Sequence, residues 1–297
     1  MLSAFFEVIT GRAPDTLRAY LLAVLVEMLA VNAFIEFGNV EIPYAHFFGL
    51  ATALGGFALG LGMVLAMGCA GSVFYRAGEG KFDYVVVIAA YGLSAWITGN
   101  WLVAPIRELF GGEGIRMALP RALGLDRWIT IAVIGLGVLL WFIRDRHRLA
   151  MLESWGSVRT GIALGIVGAL AWITSTLIGQ PAGLGTVEGS ANIAELFLRG
   201  DLTALDWHFF LVVAIPLGSY VASVRNGKSP SKPMESKRIP QAMLGGALMG
   251  VGATIAGGDN IFHGLAGVPI LALSSIVVMV FVFAGVWVGI KLKWLEA

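Results

Sequence analysis

The sequence predicts an all-α integral membrane protein of about eight transmembrane helices, built from inverted repeats with broken or re-entrant helices at their ends. Three observations predict it. The 297 residues are 58% hydrophobic and 13% charged, whereas a soluble domain carries about 25% charged residues. Eight apolar stretches are each long enough to span a bilayer. A Gly-rich string recurs 190 residues further on, in a segment expected to run the opposite way.

Composition also excludes function classes. A net charge of +1 without a concentrated basic face gives no reason to expect nucleic acid. A single cysteine, Cys69, leaves no internal disulfide and no cysteine-based metal site. No P-loop, nucleophile elbow, zinc-protease motif or dinucleotide fingerprint is present, so no catalytic residues, cofactor, metal or self-powered ATP hydrolysis is expected. Residues 1–17 carry Glu7, Arg12 and Asp15 and lack the pattern of a cleavable signal peptide.

A helix needs roughly 20 mostly apolar residues to cross the hydrocarbon core. The stretches fall near 18–36, 47–67, 83–104, 128–144, 159–178, 207–225, 240–258 and 268–291. The runs are too long, and too free of alternation, for barrel strands. Orientation follows from where Lys and Arg collect. Arg144, Arg146, Arg148 and Arg159 make one basic loop, and Arg225, Lys228, Lys232, Lys237 and Arg238 another. By contrast, 36–46 has no Lys or Arg, and 179–206 carries Glu188, Glu195, Asp201 and Asp206 against Arg199. Eight crossings with both termini cytoplasmic put the basic loops inside and the acidic ones outside, in a cell inner membrane. The segment 226–240 reads as a flexible cytoplasmic connector, and the depth of 105–127 is left open.

Leu54, Gly55, Gly56, Gly60, Gly62, Ala66 and Gly68 align with Leu244, Gly245, Gly246, Gly250, Gly252, Ala256 and Gly258. The next pair is Cys69 and Asp259. Gly-rich membrane helices resemble one another because small residues let them pack closely. This ordered run, however, ends at a non-apolar residue in both copies. With opposite orientations, the copies point to a transporter built of inverted repeats with its site at their ends. The expected layout is a single transmembrane domain over 1–297, with repeat one about 18–104, linking helices about 128–178 and repeat two about 207–291.

The chemistry gathers at those ends. Gly68, Cys69, Gly258, Asp259 and Asn260 would build a narrow path from backbone, a thiol and a carboxylate, with His263 four residues beyond Asp259 on the same helical face, as a proton relay with it or as an ordinary interfacial histidine. An intramembrane acid is costly and usually functional; Asp259 at an interface, capping the next helix, is the alternative. A lone Cys is most often a small buried hydrophobe, but a soft thiol at the repeat end also suits a sulfur-containing solute. Arg76 at a pore mouth would draw anions, with Glu79 orienting it, or the pair belongs to an ordinary turn. Glu27 and Asn32 are the buried-polar candidates of the first span. Thr174, Ser175 and Thr176 are expected to bond backbone carbonyls.

The strings GLGMVLAMGCAGSVFYRAGEGKF (60–82) and GVGATIAGGDNIFHGLAGVPILALSS (250–275) resemble the YeeE/YedE membrane family, whose members include thiosulfate importers and proteins linked to selenium metabolism. The resemblance implies an hourglass-like fold with short helices dipping into the membrane, and cysteines that contact a sulfur anion. Cys69 matches the first family cysteine, and Arg76 and Glu79 the charged pair. Asp259 stands where a second cysteine is expected, and a third has no counterpart. Either the solute differs, or a neutral Asp259 donates where a thiol would.

The reading is thus a transporter or channel for a small sulfur-containing solute such as thiosulfate. Its partners are that solute, membrane lipid and a small soluble sulfur-carrier protein. The alternatives are transport of another small solute on the same scaffold, or a non-transporting accessory subunit of a sulfur-handling complex.

Overall fold

The structure is a computed structural model that describes residues 1–12, 14–38, 40, 43–110, 114–144, 156–227 and 234–292. Residues 228–233 of the 226–240 connector and much of the first basic loop, including Arg146, Arg148, Lys228 and Lys232, lie outside them. The helices are α1 (Leu2–Ile9), α2 (Asp15–Gly38), α3 (Leu50–Leu65), α4 (Ala70–Gly78), α5 (Asp83–Ile97), α6 (Val103–Phe110), α7 (Leu119–Leu123), α8 (Arg127–Arg144), α9 (Ser157–Leu177), α10 (Val187–Arg199), α11 (Trp207–Arg225), α12 (Ile239–Ala256) and α13 (Leu273–Lys291). Among the described residues, β contact is limited to the isolated bridges Phe47–Ile115 and Ala118–Ala272. Seven helical segments are long and apolar enough to cross a membrane. With α8, an 18-residue helix, they account for the eight expected crossings.

The centre is a close crossing of α3 and α12, with α13 packed on α3 and α5 on α12. Glycine makes this crossing possible. A Cβ on Gly55 would fall 2.7 Å from the Gly252 carbonyl, and one on Gly62 would fall 2.8 Å from the Gly245 carbonyl. Gly55 and Gly245 are repeat mates, as are Gly62 and Gly252, so exchanging the two copies maps one contact onto the other. Because the earlier glycine of α3 meets the later one of α12, the helices run antiparallel. The flanks obey the same exchange: a Cβ on Gly56 would fall 2.9 Å from the Val278 carbonyl of α13, and one on its mate Gly246 2.5 Å from the Val87 carbonyl of α5. A small-residue stripe of the kind that merely packs lipid-facing helices would not generate reciprocal contacts on both neighbours.

Around this core, α2 lies parallel to α9, where a Cβ on Gly161 would fall 2.6 Å from the Ala19 carbonyl and one on Gly165 2.6 Å from the Ala23 carbonyl. The short α4 packs on α11, where Ser219 Oγ donates to the Tyr75 carbonyl at 2.6 Å. The stretch 105–127 docks against the end of the second copy: Leu119 N donates to the Leu271 carbonyl at 2.7 Å and Leu273 N to the Met117 carbonyl at 3.0 Å.

Three boundaries differ from the sequence reading. The last span starts at Leu273 rather than 268, because π-helical turns over Phe262–Gly267 and Leu271 at φ 62° bend the chain first. Residues 187–199 form a helix inside the segment read as an acidic loop. The N-terminal segment folds as α1, with Phe5 edge-on to Phe283 of α13 at 5.4 Å between ring centroids.

Candidate solute path

Both repeat copies break where the sequence places the glycine pairs. After α3 the chain passes through Met67 at φ 53° and restarts at Cys69, which precedes the first residue of α4. After α12, Gly257 takes φ 87°, a left-handed conformation that favours glycine, and helix resumes at Asn260. The two ends touch through equivalent residues. Ala70 N donates to Asn260 Oδ1 at 3.2 Å, joining positions 190 apart.

Two cavities approach this junction from opposite sides. A cavity of about 640 Å³ is lined by Met67, Gly68, Cys69, Ser72, Arg76, Tyr20, Thr186 and Asn260, together with Met1 to Ser3. A second, of about 460 Å³, is lined by His46, Phe48, Arg107, Trp172, Val187, Glu188, His208, Gly257, Gly258 and Phe262. Adjacent residues face different cavities: Thr186 lines the larger and Val187 the smaller, Gly258 the smaller and Asn260 the larger. The partition is therefore only a few residues thick, and Asp259 is at its centre.

Asp259 is fully buried and lines neither cavity. Its Oδ1 accepts from Ile261 N at 2.7 Å and Phe262 N at 2.9 Å. Its Oδ2 accepts from Thr186 N, from Thr186 Oγ1 at 2.6 Å, from Val187 N at 2.9 Å and from Tyr91 Oη at 3.3 Å. One carboxylate thus caps the turn that follows it and the N-terminus of α10, satisfying orphan amides at two helix starts. Both oxygens accept, so the hydrogen-bond donor role sketched for a neutral Asp259 is not the arrangement found.

Cys69 is 8% exposed and lines the larger cavity, where its Sγ lies 3.9 Å from the Met1 ammonium. His263 is fully buried and lines neither cavity. Its Nδ1 pairs with Ser275 Oγ at 2.9 Å, and no hydrogen bond joins its ring to the Asp259 carboxylate, so the expected relay between them is not formed. Arg76 does reach the mouth of the larger cavity, but Glu79 does not orient it. Its Nη1 donates to the Met67 carbonyl and to Tyr84 Oη, both at 2.7 Å. Thr174, Ser175 and Thr176 bond backbone carbonyls as read, the first and last at 2.7 Å from Leu170 and Trp172.

Sequence reasoning missed Arg107, which mirrors Arg76 on the smaller cavity. It donates to the Thr254 carbonyl at 2.8 Å and the Ile255 carbonyl at 3.3 Å, at the broken end of α12, and lies 4.1 Å over the Phe48 ring. Each break therefore has its carbonyls covered by an arginine that forms no ion pair with a carboxylate among the described residues. His46 stacks on the same Phe48 ring and accepts from Arg116 Nε at 2.8 Å. Desolvation, then the Arg116 and Arg107 charges, hold its pKa below the usual imidazole value. Its Nε2 being an acceptor, the ring proton sits on Nδ1. Glu188, in the same cavity, is spoken for by His208 at 2.8 Å, and that hydrogen bond holds its pKa below the ordinary value. Both cavities are thus apolar chambers carrying an arginine with no acidic partner among the described residues, an arrangement that attracts anions. Among the described residues, no group of three or more His, Cys, Asp or Glu side chains could hold a metal.

Known proteins were compared with this chain. It is 28% identical over 296 aligned positions to "Thiosulfate transporter TsuA" of Escherichia coli (strain K12), covering 93% of this chain and 83% of that protein. It is 32% identical over 300 aligned positions to "Thiosulfate transporter TsuA" of Spirochaeta thermophila, covering 96% and 90%. The profile of the family described as "Sulphur transport" matches residues 1–288. With that match running through every spanning helix and both cavities, the chain belongs to the sulphur transport family of integral membrane proteins.

Proposed function

We propose that this chain carries thiosulfate, or an anion of the same shape and charge, between the two cavities past Cys69. The observation that carries the proposal is the position of the one thiol. Cys69 faces the larger cavity at the junction of the repeat ends, ten positions or fewer from both Arg76 and the Ala70–Asn260 contact. Thiosulfate has a soft terminal sulfur and hard oxygens. A thiol is a weak donor and a polarizable partner for the first, and Arg76 and Arg107 offer charge to the second. Names of the relatives support the same solute.

With both termini cytoplasmic, the smaller cavity opens outward and the larger one inward. Support comes from Arg238, which lies at the start of α12 on the larger cavity's side, 3.6 Å from Met67 Sδ. The anion enters past His46 and Arg107, crosses the Asp259-centred partition and leaves past Cys69 and Arg76. Two inverted copies, about 18–104 and 207–291, would move against each other to open one side at a time. The proposed setting is a cell inner membrane, with a small soluble sulfur-carrier protein as the class of receiver inside.

Because the chain has one cysteine, alkylation reports on this site alone. Thiosulfate is expected to slow alkylation of Cys69 by N-ethylmaleimide at least about threefold relative to a free-thiol peptide in the same solution, the loss that a site about two-thirds or more occupied gives by simple mass action. Sulfate at equal ionic strength is expected to protect less. Equal rates in thiosulfate, sulfate and chloride would contradict a path past Cys69.

A further inference from the structure

Glu27 lies mid-way along α2, fully buried, and neither carboxyl oxygen has a hydrogen-bond partner. It plays no part in the path described above. Its side chain fills the space left by Gly168 on α9, where a Cβ would fall 2.7 Å from Oε1. This level of the bundle matters. Leu164, one turn earlier on α9, lines the larger cavity, and Trp172, one turn later, lines the smaller. On α2 itself, Tyr20 lines the larger cavity and donates to the Gly264 carbonyl at 2.9 Å. The acid therefore lies beside the partition, between the depths that the two cavities reach.

Few charged groups surround it. On α2 the others are the Asp15–Arg18 pair, Tyr20 and Glu36; on α1, Glu7, which is bonded to Thr16. Arg159 of α9 is exposed, two turns before Gly168. Arg127 and Arg144 stand at the two ends of α8, with Arg127 3.9 Å from Glu36. His263, on the π-helical turns, is committed to Ser275. Among the described residues no cation and no ring of oxygens faces the Glu27 carboxyl, so none of them would hold it ionised or complete a metal-ion shell. What such a carboxyl can hold is a proton.

Resting on the transport reading above, we propose that Glu27 is a proton-binding residue that couples passage of the anion to a co-transported proton. The proton enters from the outward side when α2 and α9 shift, stays on the carboxyl while the partition is closed and leaves inward. No bond in the anion changes, and the proton offsets part of the charge moved.

The test is full-length protein in proteoliposomes, with radiolabelled thiosulfate as probe. An inward proton gradient of about one pH unit is expected to raise accumulation by the native chain roughly tenfold per coupled proton. Glu27→Gln is expected to keep exchange of labelled for unlabelled thiosulfate within about twofold, since no anion contact is lost, and to lose the gradient response. Gradient-driven accumulation by Glu27→Gln, or a native chain driven by sodium and indifferent to protons, overturns the proposal. Should Glu27→Gln not fold, a pH-sensitive dye trapped with the native chain decides: lumenal acidification on adding thiosulfate supports the coupling, and none overturns it. A native chain without even exchange would instead refute the transport reading.

Discussion

Asp259→Asn is expected to destabilise the protein by about 3 kcal/mol, because it places amide protons against backbone donors that have no other acceptor. The carboxylate accepts six hydrogen bonds from Ile261, Phe262, Thr186, Val187 and Tyr91. An amide keeps one oxygen and turns the other position into a donor, so either the Ile261–Phe262 pair or the Thr186–Val187 pair loses its acceptor. For a chain of this size, that loss lowers Tm by about 6 °C or more, read from thermal unfolding in detergent. Asp259→Cys is expected to do no better, despite placing the thiol that the family resemblance implies there. A thiol is a weak acceptor and cannot cap two helix starts. An unchanged Tm in both variants would show that the partition does not depend on this carboxylate.

The second large effect is expected at the α3–α12 crossing. Gly252→Ile puts a branched side chain where a Cβ alone would fall 2.5 Å from Leu59 N and 2.7 Å from the Gly55 carbonyl. The obstacle is backbone in both cases, so no rotamer relieves it. Overpacking of a rigid site costs about 3 kcal/mol or more, and loss of a monodisperse peak on size-exclusion chromatography is the expected readout. The repeat mate, Gly62→Ile, is expected to fail in the same way, because the two contacts exchange under the repeat. Gly137→Ala on α8 is the control: its Cβ would meet nothing within 4 Å, and stability should hold. Different outcomes for Gly252 and Gly62 would contradict the reciprocal packing.

Much of this architecture was legible in the sequence because the bilayer imposes a length and a polarity on every spanning helix. The glycine spacing carried the rest: Gly55, Gly62, Gly245 and Gly252 are spaced by seven, two helical turns, which keeps each pair on one face. What sequence could not convey were partners far apart in the chain. Four of the six hydrogen bonds converging on Asp259 come from 72 to 168 residues away, so the same residue could be read as lining a path or capping a helix. The capping reading describes its geometry. Arg107 sat beside Glu108 in the stretch 105–127, whose depth the sequence left open; its acceptors lie 147 residues downstream, on Thr254, and one beyond. Helix α10 escaped because Glu188, Asn192, Glu195 and Arg199 fall on one side and give thirteen residues too polar and short to resemble a span. Its signal was amphipathic, with apolar Val187, Ala191 and Ala194 at helical spacing. Ala70 and Asn260 meet at the repeat ends as the alignment implied and Gly258 lines the smaller cavity, whereas His263 is turned to Ser275.

The central claim, that a sulfur anion crosses between the two cavities past Cys69, is tested most directly by uptake of radiolabelled thiosulfate into proteoliposomes holding the native chain or Cys69→Ala. The expected result is saturable uptake by the native chain and a loss of about tenfold or more in kcat/KM for Cys69→Ala, the size of a lost contact to the passing ion of about 1.4 kcal/mol. Undiminished uptake by a folded Cys69→Ala, or no uptake by a folded native chain, would contradict it.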